Sequence, residues 1–266
     1  MTRVKQSSPS VTDVELVFEV GKIFITIVVV MILGFKYFPI EKSKEISAPS
    51  VTKSEQKDKA PVSITEEDIN EQNFTGKRSK VAGDNLIVKE VNDFIEKEIS
   101  DFKERADVEV PDMRAEFGAD SSTVNYLLYL EAKHIKGEKT ESIVISEYAY
   151  TGGANGMGTY KVFTNSLKDD KTLSLKGIIK EDQQSSFVSY IKQKLINYRP
   201  EGMEGGLPVV FPEEVETLTI DSFRNWSMDS ENLNIYFDKY EIGPGVLGAM
   251  ALSLPLIELQ NFLTDF

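Results

Sequence analysis

An apolar run near the N-terminus divides this chain into parts that cannot share one core. Residues 23–40 are predominantly apolar and carry one charge, Lys36, and this length approaches the roughly 20 residues that span a bilayer as a helix. A cleaved signal peptide would need a small-residue cleavage site after Phe35, and none follows. A buried core element is the other alternative, but the polar tract that follows offers no packing partner. The run therefore predicts an uncleaved transmembrane anchor at residues 23–40, preceded by a short tail at residues 1–22.

The segment that follows the anchor has the composition of a tether. Residues 41–72 are rich in Lys, Glu, Ser and Pro and poor in large apolar side chains. Such a segment buries too little surface to offset the entropy lost on ordering. We expect a disordered linker at residues 41–72, although the part after Ser63 could instead form the first strand or helix of the domain.

Charge and cysteine content exclude several classes of function. The net charge is −13, from 30 basic and 43 acidic residues, so no basic excess exists to neutralise nucleic-acid phosphates. The acidity permits a cationic partner. The absence of cysteine excludes disulfides, thiolate metal sites and cysteine nucleophiles. We expect no nucleic-acid partner, no metal and no cofactor.

The remaining residues, 73–266, predict an α+β domain in which a largely antiparallel sheet is covered by helices. Apolar residues at helical spacing predict helices at residues 84–104 and 182–198, a helical turn at Pro212 and a terminal helix from Pro255. Alternating and turn-bounded runs predict strands at residues 122–135, 142–150, 159–166, 172–175, 223–228, 232–240 and 249–254.

Two glycine-rich motifs carry the candidate ligand-binding residues. Residues 150–158 contain four glycines, and their backbone amides could form a nest for an anion or a carbonyl. The alternative is a tight inter-strand connection that needs positive φ angles. The second motif, residues 240–248, also follows a predicted strand. The predicted ligand-binding residues of the two motifs are Tyr150, Thr151, Gly152, Gly153, Asn155, Tyr240 and Glu241.

Catalytic chemistry is poorly supported by the remaining polar residues. His134 is the single histidine, which excludes a multi-histidine metal site, and we interpret it as an ordinary side chain near a strand end. A hydrolase that uses two carboxylates would require two acids facing one cleft, one with a raised pKa. Five aromatic residues have two interpretations: they could form a surface on which a glycan stacks, or they could lie in the core. They are Trp226, Tyr236, Tyr240, Tyr148 and Tyr150.

The order of the motifs resembles a known family. Tyr-Thr-Gly-Gly-Ala at residues 150–154, Thr-Leu-Ser-Leu at 172–175 and Tyr-Glu-Ile-x-Pro at 240–244 are similar to motifs of the PdaC/RsiV-like domains. These are extracytoplasmic domains shared by a lysozyme-sensing anti-sigma factor and a peptidoglycan deacetylase. The resemblance implies an α+β sensor domain outside the cytoplasm, and hence a cytoplasmic N-terminus. This chain has Asn155 where the family often has histidine.

These observations lead to one functional hypothesis and two alternatives. We expect a membrane-anchored, non-enzymatic domain that binds peptidoglycan or a cationic, lysozyme-like envelope protein. A tail of 22 residues is too short for a sigma-binding domain, and one histidine cannot supply a deacetylase metal site. The alternatives are a carboxylate-based carbohydrate hydrolase and a structural assembly module of the envelope.

Overall fold

A computed structural model describes residues 60–118, 125–200 and 209–265. They form an α+β domain with two sheets and two apolar cores. Within these ranges no helix is both long enough and apolar enough to cross a bilayer. The predicted tail, the predicted anchor at residues 23–40 and most of the predicted linker lie outside the described residues.

The larger sheet has five strands in the order β1-β2-β3-β4-β5. Their bounds are Ser63–Asn70, Phe74–Ala82, Tyr126–Lys136, Thr140–Tyr150 and Met157–Ser166. Three neighbouring pairs are antiparallel, but β2 and β3 are parallel. The sheet is therefore mixed, because a helix connects β2 to β3 and returns the chain to run in the same direction.

That helix, α1 (Leu86–Phe117), is longer than the sequence pattern predicted. It begins at Leu86 instead of near residue 84, and it continues through Pro111 instead of ending near residue 104. The extension is stabilised because Val110 is fully buried on the same face as the earlier apolar stripe. The stripe packs on one face of β2, β3 and β4; its buried residues are Ile87, Val88, Val91, Ile95, Phe102 and Ala106.

The first strand overlaps the predicted linker. β1 lies within residues 41–72 and pairs with β2 along its whole length. Its charged side chains find partners on β2, where Arg78 contacts Glu67 at 3.0 Å and Lys77 contacts Glu66 at 3.6 Å. The composition of this segment indicated disorder. Composition does not show that the charged side chains of one strand can pair with those of a neighbouring strand. The ordered domain therefore begins before the predicted boundary at residue 73, as the alternative for the part after Ser63 allowed.

The second sheet is antiparallel and has three short strands in the order β6-β7-β8. They are Trp226–Met228, Asn232–Phe237 and Met250–Pro255. Helices α2 (Leu175–Ile178), α3 (Gln184–Ile196), α4 (Pro212–Thr217) and α5 (Leu256–Leu259) accompany this sheet. Its core contains Phe187, Phe223, Trp226, Leu233, Ile235, Phe237 and Leu252.

Two short elements differ from their predictions. Residues 172–175 form no strand; Thr172 makes one isolated bridge to Asn165, and Ser174 then caps α2 through the N–H of Gly177. A capping serine competes with strand pairing because its hydroxyl bonds to a nearby amide. The terminal helix α5 is a single turn that begins after Pro255.

Side chains join the two sheets at β5, the edge strand of the larger sheet. Asn225 accepts a bond from the Val162 N–H at 3.1 Å and donates to the Tyr160 carbonyl at 2.8 Å. Asp238 accepts from the Tyr160 N–H at 2.7 Å. The edge is thereby covered by polar side chains, which leaves it unavailable for pairing with another strand.

Candidate functional site

The face of the larger sheet that points away from α1 carries an exposed pair of aromatic rings. Tyr129 and Tyr148 are directly opposed on β3 and β4, and their ring centroids lie 6.3 Å apart. The two residues are 40% and 43% exposed. Large aromatic rings left open to solvent on adjacent strands offer a stacking surface for a ligand.

The same face continues into a cleft of about 660 Å³ between the two sheets. One wall is the outer face of β3–β5, and the other is the polar face of β7 and β8. Its polar lining residues include Glu131, Lys133, Ser146, Tyr160, Asn232, Asn234, Tyr236 and Ser253. Each sheet buries its apolar residues on the opposite side, so the cleft separates two polar faces.

Two tyrosines from opposite walls meet within the cleft. The rings of Tyr160 and Tyr236 lie 5.0 Å apart at an angle of 52°, and the Tyr236 hydroxyl bonds to Ser227 at 2.9 Å. Burial raises the pKa of both phenols, and the charges of Asp238 and Glu131 add to the rise for Tyr160. Both hydroxyls are protonated at neutral pH, and the one on Tyr236 is already held by Ser227.

The acidic residues of the cleft are Glu131 and Asp229. Asp229 is engaged locally, because its Oδ1 accepts bonds from the N–H groups of Glu231 and Asn232 at 2.8 and 2.7 Å. This arrangement is that of a turn. The two-carboxylate hydrolase stays a prediction.

The first predicted motif forms a tight connection between β4 and β5. Gly152 and Gly153 both have φ near +90°, a conformation that glycine adopts readily. The Tyr150 hydroxyl donates to the Gly153 carbonyl at 2.9 Å, which closes the loop. Thr151 is half-buried, and Asn155 is exposed.

The second predicted motif holds a tyrosine in an unusual backbone conformation. Tyr240 has φ of +71° and is 53% exposed, and a side chain at Gly245 would collide with its ring. Next to it, Glu241 Oε2 accepts a bond from the Asp238 N–H at 2.7 Å. Desolvation raises the pKa of Glu241, and the bond from the Asp238 amide opposes the rise.

The fold brings the two motifs together at one end of β5. Lys239, which immediately precedes Tyr240, donates its Nζ to the Gly156 carbonyl at 2.6 Å and its backbone N–H to the Gly158 carbonyl at 2.9 Å. Gly158 in turn lies against Ala249, just before β8. The motifs therefore adjoin the end of the cleft, two residues along β5 from Tyr160. Ligand binding by the seven predicted residues stays a prediction.

Most residues that line the cleft were not singled out from the sequence, although His134 and Tyr236 were named there for other reasons. Tyr236 was named as either core or surface, and it lines the cleft, whereas Trp226 is buried in the second core. The alternation of β7, with Asn232 and Asn234 between apolar residues, did indicate a polar face. No periodicity reveals that this face lies opposite the polar face of another sheet.

The single histidine, His134, does not belong to a group of three potential metal ligands among the described residues. His134 Nε2 contacts Glu141 Oε1 at 2.9 Å on β3 and β4. Throughout the described ranges, no group of three or more His, Cys, Asp and Glu residues could hold a metal ion.

Comparison with known proteins supports the resemblance seen in the motifs. The family model described as "Protein of unknown function (DUF3298)" matches residues 176–256. The chain is 26% identical over 179 residues to the peptidoglycan-N-acetylmuramic acid deacetylase PdaC of Bacillus subtilis. That match covers 65% of this chain and 35% of the enzyme, so the chain spans about a third of the curated relative's length. The predicted resemblance to PdaC is confirmed.

One solved structure has a similar fold. The crystal structure of a member of the DUF3298 family from Bacteroides fragilis aligns with 77% of this chain and 95% of its own, with a TM-score of 0.55 and 14% identity. At this level of identity the likeness shows a common fold.

Proposed function

We propose that this protein is a non-enzymatic binding domain of the cell envelope that takes the saccharide chain of peptidoglycan along the outer face of its larger sheet. The anchor at residues 23–40 would hold the domain on the outer side of the membrane. The observation that carries the proposal is the continuous face that runs from Tyr129 and Tyr148 into the cleft at Tyr160 and Tyr236.

The chemistry of this face suits a saccharide. Sugar rings present apolar C–H faces and many hydroxyl groups, so they need aromatic rings together with hydrogen-bonding side chains. The exposed tyrosines supply the rings. Asn232, Asn234 and Ser253 supply amide and hydroxyl groups along the opposite wall.

The similarity to PdaC supports the same class of ligand, because that enzyme is named for its action on peptidoglycan. The match covers about a third of the enzyme, and its deacetylase activity is not part of the proposal. The two predicted motifs, at the end of the cleft, would contact the same chain where it leaves the cleft.

A second candidate is a cationic, lysozyme-like protein. The net charge of −13 favours such a partner, and exposed tyrosines are common anchors in protein interfaces. Binding of a protein would depend on salt more strongly than stacking of a saccharide.

The test is co-sedimentation of the purified full chain with peptidoglycan sacculi at low and high salt. The double variant Tyr129→Ala/Tyr148→Ala removes both exposed rings and should weaken binding about thirtyfold, since each of the two aromatic contacts contributes on the order of 1 kcal/mol. Tyr240→Asn keeps a residue that tolerates positive φ and tests the second motif separately.

The outcomes separate the hypotheses. Loss of binding in the Tyr129/Tyr148 variant supports the face, and loss in Tyr240→Asn alone moves the site to the two motifs. Folded variants that all bind as the parent does would refute both sites. If the parent chain binds a purified lysozyme in a salt-sensitive manner and ignores sacculi, the second candidate replaces the first.

A further inference from the structure

Two glycines of the predicted motifs make room for exposed tyrosine rings. Gly156 and Gly245 do not have positive φ angles, so the backbone conformation does not require glycine at either position. A side chain at Gly156 would collide with the ring of Tyr148, and one at Gly245 would collide with the ring of Tyr240. Each ring therefore lies directly against the backbone of its glycine, although Tyr148 and Tyr240 are 43% and 53% exposed.

The conformation of Tyr240 is not explained by burial. Its φ of +71° is rare and strained for a bulky residue. About half of the residue is open to solvent, so the strain is not offset by a place in a core. Strained residues of this kind are concentrated where a protein holds a ligand, which points to the open ring of Tyr240.

Lys239 lies next to both rings. Its Nζ donates to the Gly156 carbonyl at 2.6 Å and lies 5.1 Å from the centroid of the Tyr240 ring. Gly156 therefore borders the Tyr148 ring and Lys239 at once. An ammonium group has three N–H donors, and the bond to Gly156 leaves two of them for a ligand.

The charge of Lys239 is not neutralised by a direct contact. Lys239 forms no ion pair with any residue that the structure describes. The acidic residues on either side in sequence are used locally: Asp238 accepts the Tyr160 N–H and Glu241 accepts the Asp238 N–H, each at 2.7 Å. An unpaired ammonium group beside exposed aromatic rings suits a ligand that has both an apolar face and a carboxylate.

We propose that Lys239, with Tyr148 and Tyr240 as its neighbours, is a subsite for a carboxylate group of the peptidoglycan chain. This inference rests on the saccharide-binding function proposed above and adds the chemical group that is recognised. Peptidoglycan differs from neutral amino-sugar polymers by its carboxylates, which lie on the lactyl groups of muramic acid or on the peptides attached there. The subsite would let the domain distinguish peptidoglycan from a neutral polymer of the same sugars.

The test is isothermal titration calorimetry of the purified full chain with two oligosaccharides of equal length. One is a neutral N-acetylglucosamine oligomer, and the other is a peptide-free peptidoglycan strand with free lactyl carboxylates. The carboxylated strand should bind about tenfold more tightly, the gain expected from one charge-assisted hydrogen bond. A third titration uses strands that still carry peptides; a preference for these strands alone would assign the carboxylate to the peptide.

The outcomes separate this inference from the function on which it rests. If the parent chain binds the neutral and carboxylated strands equally tightly, the saccharide face stands and the carboxylate subsite is refuted. If no strand binds, the saccharide face is refuted and the subsite falls with it.

The key variant is Lys239→Met, which removes the charge and keeps an unbranched side chain. It should abolish the tenfold preference, whereas an equal loss for both oligosaccharides would mean that Lys239 has only a structural role. The matched control is Lys161→Met. Lys161 also lies over an aromatic ring, at 5.6 Å from the centroid of Phe163, but on the α1 face of β5, so this variant should keep the preference. Loss of the preference in both variants would indicate a general effect of charge and refute the subsite.

Gly156→Ala tests whether the glycine positions the ring of Tyr148. The added methyl group displaces the ring, so it should weaken binding of both oligosaccharides about as much as Tyr148→Ala does, by roughly fivefold. In a Tyr148→Ala background the same change should have no further effect, because the ring that needs the space is absent. An equal loss in both backgrounds would show that Gly156 does not act through Tyr148.

Discussion

The two faces of the larger sheet are built from the same strands and differ completely in what covers them. Toward α1, successive residues such as Leu128, Leu130 and Ile143 are buried and make one closed apolar core. On the other face, Tyr129, Glu131 and Lys133 alternate with them and remain exposed. Alternation along a strand allows one face to be buried and the other to be exposed. Packing explains the residues of the buried face but not those of the exposed face.

The difference separates residues whose identity packing explains from residues whose identity it does not explain. Every large side chain of the closed face has neighbours that explain its identity. Tyr129 and Tyr148 contact each other across the strands and leave about two fifths of their surface to solvent. A tyrosine pair contributes modestly to a sheet, and the proposed function assigns these rings to saccharide binding.

Two adjacent residues on β3 give the most direct test of this difference between the faces. Leu128→Ala creates a cavity in the closed core and should lower the free energy of unfolding by about 2–5 kcal/mol. Tyr129→Ala, one residue further, should cost less than about 1 kcal/mol. Urea denaturation of the two variants measures both values. Similar losses for the two changes would mean that the outer face is also a structural core.

Loss of the hydrogen bonds that join the two sheets should lower the free energy of unfolding by an intermediate amount. Asn225→Ala removes the bonds to the Val162 N–H and the Tyr160 carbonyl and should cost about 1–3 kcal/mol, because the edge of β5 loses partners in a partly buried place. Asn234→Ala, a change in the wall of the cleft, is the control and should stay within about 0.5 kcal/mol. Thermal unfolding of both variants tests the pair; an equal effect would contradict the bridging role of Asn225.

The smallest effect concerns a carboxylate on the closed face. Burial raises the pKa of Glu147, and the charge of Glu98 raises it further. Because the pKa of Glu147 is higher in the folded state than in the unfolded state, stability falls as the pH rises from the unfolded-state pKa through the folded-state pKa. Above that range the folded protein must hold the ionised carboxylate in a buried place. Glu147→Gln should therefore raise the Tm at pH 7 and have little effect near pH 4. Equal Tm differences at the two pH values would contradict this assignment.

The sequence pattern predicted the elements whose signal is local. The hairpins of β3 to β5 and the start of α1 followed from alternation, turn residues and an apolar stripe. It missed β2 altogether and gave β1 only as an alternative to the linker, because the acidic residues of β1 become favourable only beside Lys77 and Arg78 of β2. It also missed the parallel pairing of β2 with β3, since pairing direction depends on a crossover and not on either strand.

The candidate site was less predictable than the fold. The motifs around Tyr150 and Tyr240 were visible because glycine marks special backbone, and the structure shows that much of this signal concerns loop closure. Tyr160 carries no local signature, and the alternation that places Asn234 on a polar face does not show what lies opposite that face. They line the cleft because a polar face of each sheet lies opposite a polar face of the other.

The position of β1 has a mechanical consequence. β1 is the outermost strand of the sheet, and its first residue, Ser63, pairs with Ala82 at the end of the antiparallel ladder. A pulling force that enters through the residues before Ser63 would load that pair first and then each following pair in turn. A strand pulled in this direction unzips rung by rung at low force, whereas one pulled along its length must break all its rungs together. Because Ile69 of β1 belongs to the core beneath α1, peeling β1 away would also open that core, whereas the core of the second sheet is built from residues that follow β5.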